Sequence, residues 1–234
     1  MVPEPVYQTE RVTVYQGDCL EIMPLLGPVD LIVADPPYMF GMASTMHEGK
    51  AGSWADMMNA ARWYADMLKR MRERVERNQG AALVFNSWRS FPVLARAAYE
   101  AKWGIESLMV WDKEWIGPGG PAGLRPSYEL VALFRHPEFK ITDRGLPDIW
   151  RSKWCGQKPT GHPAEKPVDL VLRLITKSGV PSAGVVLDPF GGSGTTAVAA
   201  LRAGCSALLI EREPKYIEII KRRLKQEEAQ GRLF

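Results

Sequence analysis

The sequence predicts an α/β fold, a doubly wound and mainly parallel sheet of seven strands covered by helices on both sides. Three observations point there. Short, nearly uniform apolar segments, of the kind a strand buried on both faces needs, alternate with segments of helical period. The 234 residues are 46% hydrophobic and 24% charged, which suffices to bury a sizeable core. Two compact Gly/Pro motifs directly follow apolar strands, where sheets of this class open their ligand crevice.

The elements follow in order. Residues 12–16 (VTVYQ) and 29–34 (VDLIVA) form strands, with a helical turn or two over 20–26 between them. Met57, Ala61, Tyr64, Leu68, Met71 and Val75 recur at spacings of three and four, which marks an amphipathic helix with an apolar core face. Its other face holds Arg62, Lys69, Arg70, Arg72, Arg74 and Arg77 and is expected to be solvated. Residues 80–85, 105–111, 128–134, 184–187 and 205–210 supply five further strands, and residues 168–177 and 197–203 read as helices. The least regular stretches are 39–54, and 114–126 together with 136–163; loops this long in a compact domain are usually functional or mobile. The expected organisation is one domain over residues 1–234, with a mobile active-site loop at 39–56 and a small irregular insertion at 114–163.

Composition excludes disorder, collagen and a disulfide-stapled miniprotein. No run of about eighteen uncharged apolar residues occurs, and the opening MVPEPVYQTERV lacks the pattern of a signal peptide, so a soluble cytoplasmic protein without a membrane partner is expected. Cys19, Cys155 and Cys205 are widely spaced and odd in number, which suits reduced thiols, and no metal site is legible. Charge is uneven: residues 1–60 carry a net −6, residues 61–177 a net +7 and residues 178–234 a net +2. A basic middle suits a protein that approaches a polyanion, and a solvated helix face accounts for part of it equally well.

The first motif is Asp35-Pro36-Pro37-Tyr38, directly after the strand that ends at Ala34. Its two prolines remove two backbone donors and fix two φ angles, so the turn offers carbonyl oxygens and a carboxylate without competing N–H groups. The natural guest of such a rim is an amino group with two hydrogens to donate, and Tyr38 offers a face for an aromatic ring. An exocyclic amine of a nucleobase meets both conditions; a proline turn with a surface aspartate and a packed tyrosine is the plainer alternative. The second motif is Asp188-Pro189-Phe190-Gly191-Gly192-Ser193-Gly194-Thr195-Thr196, between a strand and a helix. Clustered glycines let backbone approach a ligand, and the helix start supplies unpaired N–H groups. No lysine follows Gly194, so the phosphate-cradling pattern of nucleotide hydrolases is absent and a carboxylate-bearing cofactor suits the turn better. Glu211 ends the next strand, a placement suited to ribose hydroxyls.

Together these residues resemble the DNA amino-methyltransferases that use S-adenosylmethionine. DPPY resembles their catalytic motif and DPFGGSGTT their cofactor loop. The similarity extends to Gly17-Asp18-Cys19-Leu20-Glu21, Trp111-Asp112-Lys113, Tyr128-Glu129-Leu130 and His162-Pro163-Ala164-Glu165-Lys166-Pro167, and so covers nearly the whole chain. The catalytic motif precedes the cofactor motif, the order of the beta group. The resemblance implies a Rossmann-like methyltransferase fold in which the strands near residues 33 and 186 are neighbours. It assigns catalysis to Asp35, Pro36, Pro37 and Tyr38. It assigns S-adenosylmethionine to Asp18, Asp35, Lys166, Asp188, Phe190, Gly191, Gly192, Ser193, Gly194, Thr195 and Glu211. Asp18 suits equally the N-cap of the helix that follows it, and Lys166-Pro167 the start of the helix over 168–177.

The resemblance further implies methyl transfer to an amine of double-stranded DNA, N6 of adenine ahead of N4 of cytosine, because the first motif residue is Asp where cytosine enzymes more often resemble Ser-Pro-Pro-Tyr. A catalytically silent nucleic-acid-binding subunit is the rival from another class, and a homodimer or a cognate restriction nuclease stays open. Target recognition falls to the 114–163 insertion. All eight tryptophans lie between Trp54 and Trp154, interleaved with arginines and lysines. Trp103 and Trp111 sit in helix or strand patterns as core residues, whereas Trp115, Trp150 and Trp154 fall in irregular segments and are candidates for stacking on bases.

Overall fold

The computed structural model describes residues 1–37, 54–117, 123–143, 145–154, 160–162 and 164–229. In chain order the elements are β1 (Tyr7–Gln8), β2 (Val12–Gln16), α1 (Cys19–Ile22) prolonged by a 3-10 turn at Met23–Leu25, β3 (Leu31–Ala34), α2 (Trp54–Val75), β4 (Ala81–Asn86) and α3 (Phe91–Glu100). Then come β5 (Ile105–Asp112), β6 (Tyr128–Arg135), β7 (Ile149–Arg151), α4 (Val168–Lys177), β8 (Val185–Asp188), α5 (Thr195–Arg202), β9 (Ser206–Glu211) and α6 (Pro214–Ala229).

The strands form one sheet in the order β1-β2-β9-β8-β3-β4-β6-β5-β7. All seven expected strands are present. Two more, β1 and β7, bring the number among the described residues to nine; at two and three residues they are too short to carry a readable period. The sheet is mainly parallel, as expected, with antiparallel pairing confined to β1 with β2 and to β6 with its neighbours β4 and β5.

Alternation along β3 explains why both faces are covered. Leu31 and Val33 join a core with Leu170, Leu174, Val198 and Ile220 of α4, α5 and α6, while Ile32 and Ala34 join a second core with Ile22, Tyr64, Leu68 and Leu94 of α1, α2 and α3. On α2, Ala61, Tyr64, Leu68, Met71 and Val75 are buried as the period required, and the side chain of Met57 lies outside the described residues.

The basic face of α2 departs from expectation. Arg62, Lys69 and Arg77 are exposed, but Arg70 donates to Leu20 O at 2.7 Å, Arg72 to Lys102 O at 2.8 Å and Arg74 to Leu26 O. Carbonyls of the short helix α1 and of the loops beside the sheet lack partners within a ladder, and long guanidinium side chains reach them. Asp30 is a further strap: its Oδ2 accepts from Val185 N at 2.7 Å and its Oδ1 from Asn78 Nδ2 at 3.0 Å, which pins the start of β3 to that of β8. Gly80 must be glycine, because a Cβ there would lie 2.3 Å from Asp30 O.

Two expected boundaries shift. The final residues of the 39–56 loop are helical, since α2 starts at Trp54, and residues 38–53 lie outside the described residues. The 114–163 segment contributes the expected β6 and, within the expected irregular stretch 136–163, also β7 to the sheet, which leaves three stretches outside the strands. Trp103 and Trp111 are buried as expected, and Trp150 proves to be core as well. It is 5% exposed in β7, donates Nε1–H to Pro147 O and packs under the Arg173 guanidinium. Cys19 and Cys205 are buried free thiols, and Cys155 lies outside the described residues. Among the described residues no helix is long and apolar enough to cross a membrane, and no His/Cys/Asp/Glu cluster is placed to hold a metal ion.

Candidate active site

Because β3 and β8 are parallel neighbours, with Leu31 opposite Val186 and Ile32 opposite Leu187, the turns that begin at Asp35 and end β8 at Asp188 leave the same edge of the sheet. β9 lies on the far side of β8 and ends at Glu211. A cavity of about 1270 Å³ opens at this edge, walled by Asp35, Pro36 and Pro37 from one turn, Phe190 and Gly192 from the other, and Glu211. That exceeds the roughly 300–1,000 Å³ of an ordinary small-molecule pocket and leaves room for two ligands side by side.

The acceptor side is held by charges and by one phenol. Asp35 Oδ2 lies 2.5 Å from Lys166 Nζ, which also sits 3.4 Å from Glu129 Oε2; Glu129 Oε1 in turn lies 2.7 Å from Lys113 Nζ. Four side chains from four segments thus form one chain of alternating sign, with the Lys166 ammonium 5.1 Å from the centre of the Phe85 ring. Burial presses the Lys166 ammonium toward neutrality, but Asp35 and Glu129 outweigh it and hold its pKa above the usual lysine range. Burial likewise opposes ionisation of Glu129, yet Lys166 and Lys113 bring its pKa below the ordinary carboxylate value. Pro37 O accepts the Tyr64 hydroxyl at 3.0 Å, and burial, with Asp35 nearby, pushes that phenol up. Trp63 meets Tyr64 edge-on and lies 5.9 Å from the Phe190 ring, joining the two turns. Tyr38, the fourth residue of the expected catalytic motif, lies outside the described residues, and with it the expectation that it shares this cavity.

The other turn is braced from behind. Asp188 Oδ1 accepts Phe190 N–H at 2.9 Å, and burial, reinforced by Asp35 and Glu211, pushes the Asp188 carboxyl up to about 7. Gly192 has φ +49°, and a Cβ there would lie 3.3 Å from the His162 ring, so this position favours glycine on conformation and on space. Its N–H donates to Glu211 Oε2 at 2.7 Å, while Oε1 accepts from Glu213 N. Asp188, Gly191, Ser193 and Thr195 border only a small adjoining space of about 40 Å³, and Gly194 borders neither. Ser193 and Thr195 are tied together at 3.0 Å, and Arg223 of α6 reaches Ser193 O, Thr195 Oγ1 and Glu165 Oε1.

Asp18 is the N-cap of α1, its Oδ1 accepting Leu20 N–H at 2.7 Å, and it also lines the cavity. Pro167 is the N-cap residue of α4, yet Lys166 points its ammonium into the charged chain. Burial, with Asp18 beside it, pushes the Cys19 thiol up to about 12, so this cavity-lining cysteine is no thiolate nucleophile at neutral pH. At the rim Trp115 and Trp154 stack at 4.3 Å, beside Arg125, whose Nε–H donates to Gly117 O. The donor set fits S-adenosylmethionine: a carboxylate for ribose hydroxyls at the end of β9, and a turn whose missing Cβ permits close approach. Sequence reasoning did not single out for the site Tyr64, which the period of its helix marks as core, nor Trp63 and Arg223, and Glu129 entered it only within the matched Tyr128-Glu129-Leu130.

The model of the DNA methylase family matches residues 29–222. YubD of Escherichia coli (strain K12) is 30% identical over 211 residues, covering 89% of this chain and 88% of its own. The DNA adenine methyltransferase YhdJ of the same strain is 25% identical over 254 residues, covering 93% and 84%. Among solved structures, the M1.HpyAVI–SAM complex matches with a TM-score of 0.69 at 23% identity, covering 91% of this chain and 98% of that one. The cytosine-N4-specific PvuII DNA methyltransferase matches with a TM-score of 0.76 at 19% identity, covering 94% and 88%. At such identities the structural likeness is one of fold. The matched span takes in both strand-end motifs and the charged chain between them, and the chain belongs to the DNA methylases, the S-adenosylmethionine-dependent amino-methyltransferases that its motifs resemble.

Proposed function

We propose that the protein methylates the N6 amine of an adenine extruded from double-stranded DNA. The observation that carries this reading is the placement of the Asp35-Pro36 turn and the Phe190–Gly192 turn on one cavity at adjacent strand ends. An exocyclic amine is a poor nucleophile, because its lone pair is delocalised into the ring. The Asp35 carboxylate and the Pro36 carbonyl accept its two hydrogens, draw the lone pair out of the ring and aim it across the cavity. S-adenosylmethionine supplies an electrophilic methyl group on its sulfonium. Glu211 and Asp18 would hold its ribose and adenine ends, and the glycine turn its methionine part. Attack is direct, in keeping with a Cys19 thiol too weakly acidic to act as nucleophile. Nothing stronger than Asp35 is needed as base, since the alkylated nitrogen is acidic.

Extruding the base costs roughly a few kcal/mol, and stacking on aromatic side chains returns about 1–3 kcal/mol per base. Tyr38 takes that part at the motif, and the Trp115–Trp154 stack, which lines the same cavity as Lys113 and Arg125, supports a role for the 114–163 segment in target recognition. Adenine is preferred to cytosine on the aspartate that opens the motif; the fold likeness to a cytosine-N4 enzyme makes that base the second reading.

The test is incubation with methyl-labelled S-adenosylmethionine and unmethylated duplex DNA, followed by digestion to nucleosides. Label in N6-methyladenine supports the proposal, label in N4-methylcytosine transfers it to the second reading, and absence of label overturns both. Asp35→Ala is the companion control and is expected to abolish transfer.

A further inference from the structure

The ammonium of Lys166 occupies one oxygen of the carboxylate that the proposed chemistry gives to the substrate amine. Lys166 Nζ lies 2.5 Å from Asp35 Oδ2, and its side chain is only 10% exposed. An ammonium is a three-hydrogen donor, and an exocyclic amine is a two-hydrogen donor of similar reach, so the two compete where the amine approaches Asp35 Oδ2. A cation buried this deeply cannot leave Asp35 for the low-dielectric interior without a second anion to receive it. That anion is present. Glu129 Oε2 stands 3.4 Å from Nζ, close enough to be an ion-pair partner and too long for a tight hydrogen bond, while its other oxygen is held at 2.7 Å by Lys113.

We propose that Lys166 is a placeholder for the substrate amine and that Glu129 is a positioning residue that receives it: the entering amine takes Asp35, and Lys166 shifts by a fraction of an ångström to about one ångström onto Glu129. This assignment rests on the methyl-transfer reading above. It gives a role to Glu129, a cavity-lining carboxylate that takes no part in the methyl transfer itself. It also explains why Glu129 is shared between two lysines: Lys113 moderates its pull, so that Lys166 rests on Asp35 until an amine arrives. The device is selective, because a base without an exocyclic amine gives Asp35 nothing in exchange for the ammonium. Breaking the chain at Glu129 therefore acts through Lys166, and its effect depends on whether the substrate carries the amine.

The experiment compares two duplexes of the sequence in which the wild-type protein deposits methyl groups, one with adenine and one with purine, which carries hydrogen in place of the amine, at the target. Dissociation constants are measured with the S-adenosylmethionine product present, and KM and kcat on the adenine duplex. Glu129→Gln is expected to weaken the adenine duplex about tenfold and the purine duplex by less than about twofold, with the loss in KM rather than in kcat. Lys113→Met is expected to change the adenine-to-purine ratio in the opposite direction, since it frees Glu129 to draw Lys166 away from Asp35. In a Lys166→Met background, Glu129→Gln is expected to change neither duplex. Equal weakening of both duplexes by Glu129→Gln, or a Glu129 effect that survives Lys166→Met, would falsify the placeholder while leaving methyl transfer standing. Lys113→Met also serves should Glu129→Gln not fold, and an unchanged ratio in that variant overturns the inference by itself. Failure of the wild type to methylate any DNA overturns both readings together.

Discussion

Tyr64 of α2 donates its phenolic hydrogen to the carbonyl oxygen of Pro37 across 3.0 Å, and this single bond joins the longest helix of the described residues to the turn that carries Asp35. A turn with two prolines has few donors of its own with which to anchor itself, so its position depends on what reaches it from outside. Tyr64→Phe keeps the ring in the core and removes only the donor. It is expected to cost about 1 kcal/mol of stability in urea unfolding and to slow methyl transfer several-fold with cofactor affinity retained. An unchanged turnover would mean that α2 does not set the position of the turn.

Gly192 tests the other side of the cavity. With φ at +49° and the His162 ring 3.3 Å from where a Cβ would sit, Gly192→Ala meets conformational strain of about 1–2 kcal/mol and a crowded ring. Its N–H would then swing from Glu211 Oε2, and calorimetric titration with S-adenosylmethionine is expected to show affinity reduced about tenfold or more. Wild-type affinity in this variant would remove Gly192 from the cofactor turn.

Asp188 makes stability depend on pH. Its folded value of about 7 stands above the ordinary aspartate value of 3.8, so the folded form holds the proton more firmly than the unfolded chain does. The stability contributed by that proton is fully present below about pH 4 and is lost as pH rises through 7, by up to about 4 kcal/mol. Asp188→Asn keeps an oxygen to accept the Phe190 N–H and carries no ionisable group. Thermal melts of the ligand-free protein should therefore place this variant above wild type at pH 8, with the gap shrinking steadily between pH 7 and pH 4. A gap that does not change with pH would show that Asp188 stays ionised in the fold.

Trp115 is 38% exposed and stacked on Trp154 at the cavity rim. Trp115→Ala removes one ring of the pair and is expected to weaken duplex DNA by about 1–3 kcal/mol, read by fluorescence anisotropy, while cofactor binding is unchanged. Loss of cofactor binding to the same extent would place the pair on the wrong ligand.

Much of this was legible in the chain because periodicity reports burial. The apolar runs over 29–34 and 184–187 mark strands buried on both faces, and the motifs at their ends mark the edge where the cavity lies. What escaped was information held by pairs far apart in sequence. Tyr64 and Leu68 share one apolar stripe and look alike in the pattern, yet only the first carries a hydroxyl that ends on Pro37. Arg70, Arg72 and Arg74 resemble a solvated face because the carbonyls they serve belong to other segments. Trp150 sits in a strand of three residues, too short to display alternation, and so resembled a free aromatic rather than a core one. Glu129 could be quoted as part of a matched tripeptide, but its work depends on Lys113 and Lys166, and no spacing rule links those three positions.

The strap between Asp30 and Val185 spans 155 positions. A ribosome therefore releases the Asp35 side of the crevice long before the Gly192 side, and β3 waits with one hydrogen-bonding edge open until β8 emerges. β8 itself lies between β3 and β9, and β9 follows it in the chain, so the crevice is complete only once both late strands have joined the early one.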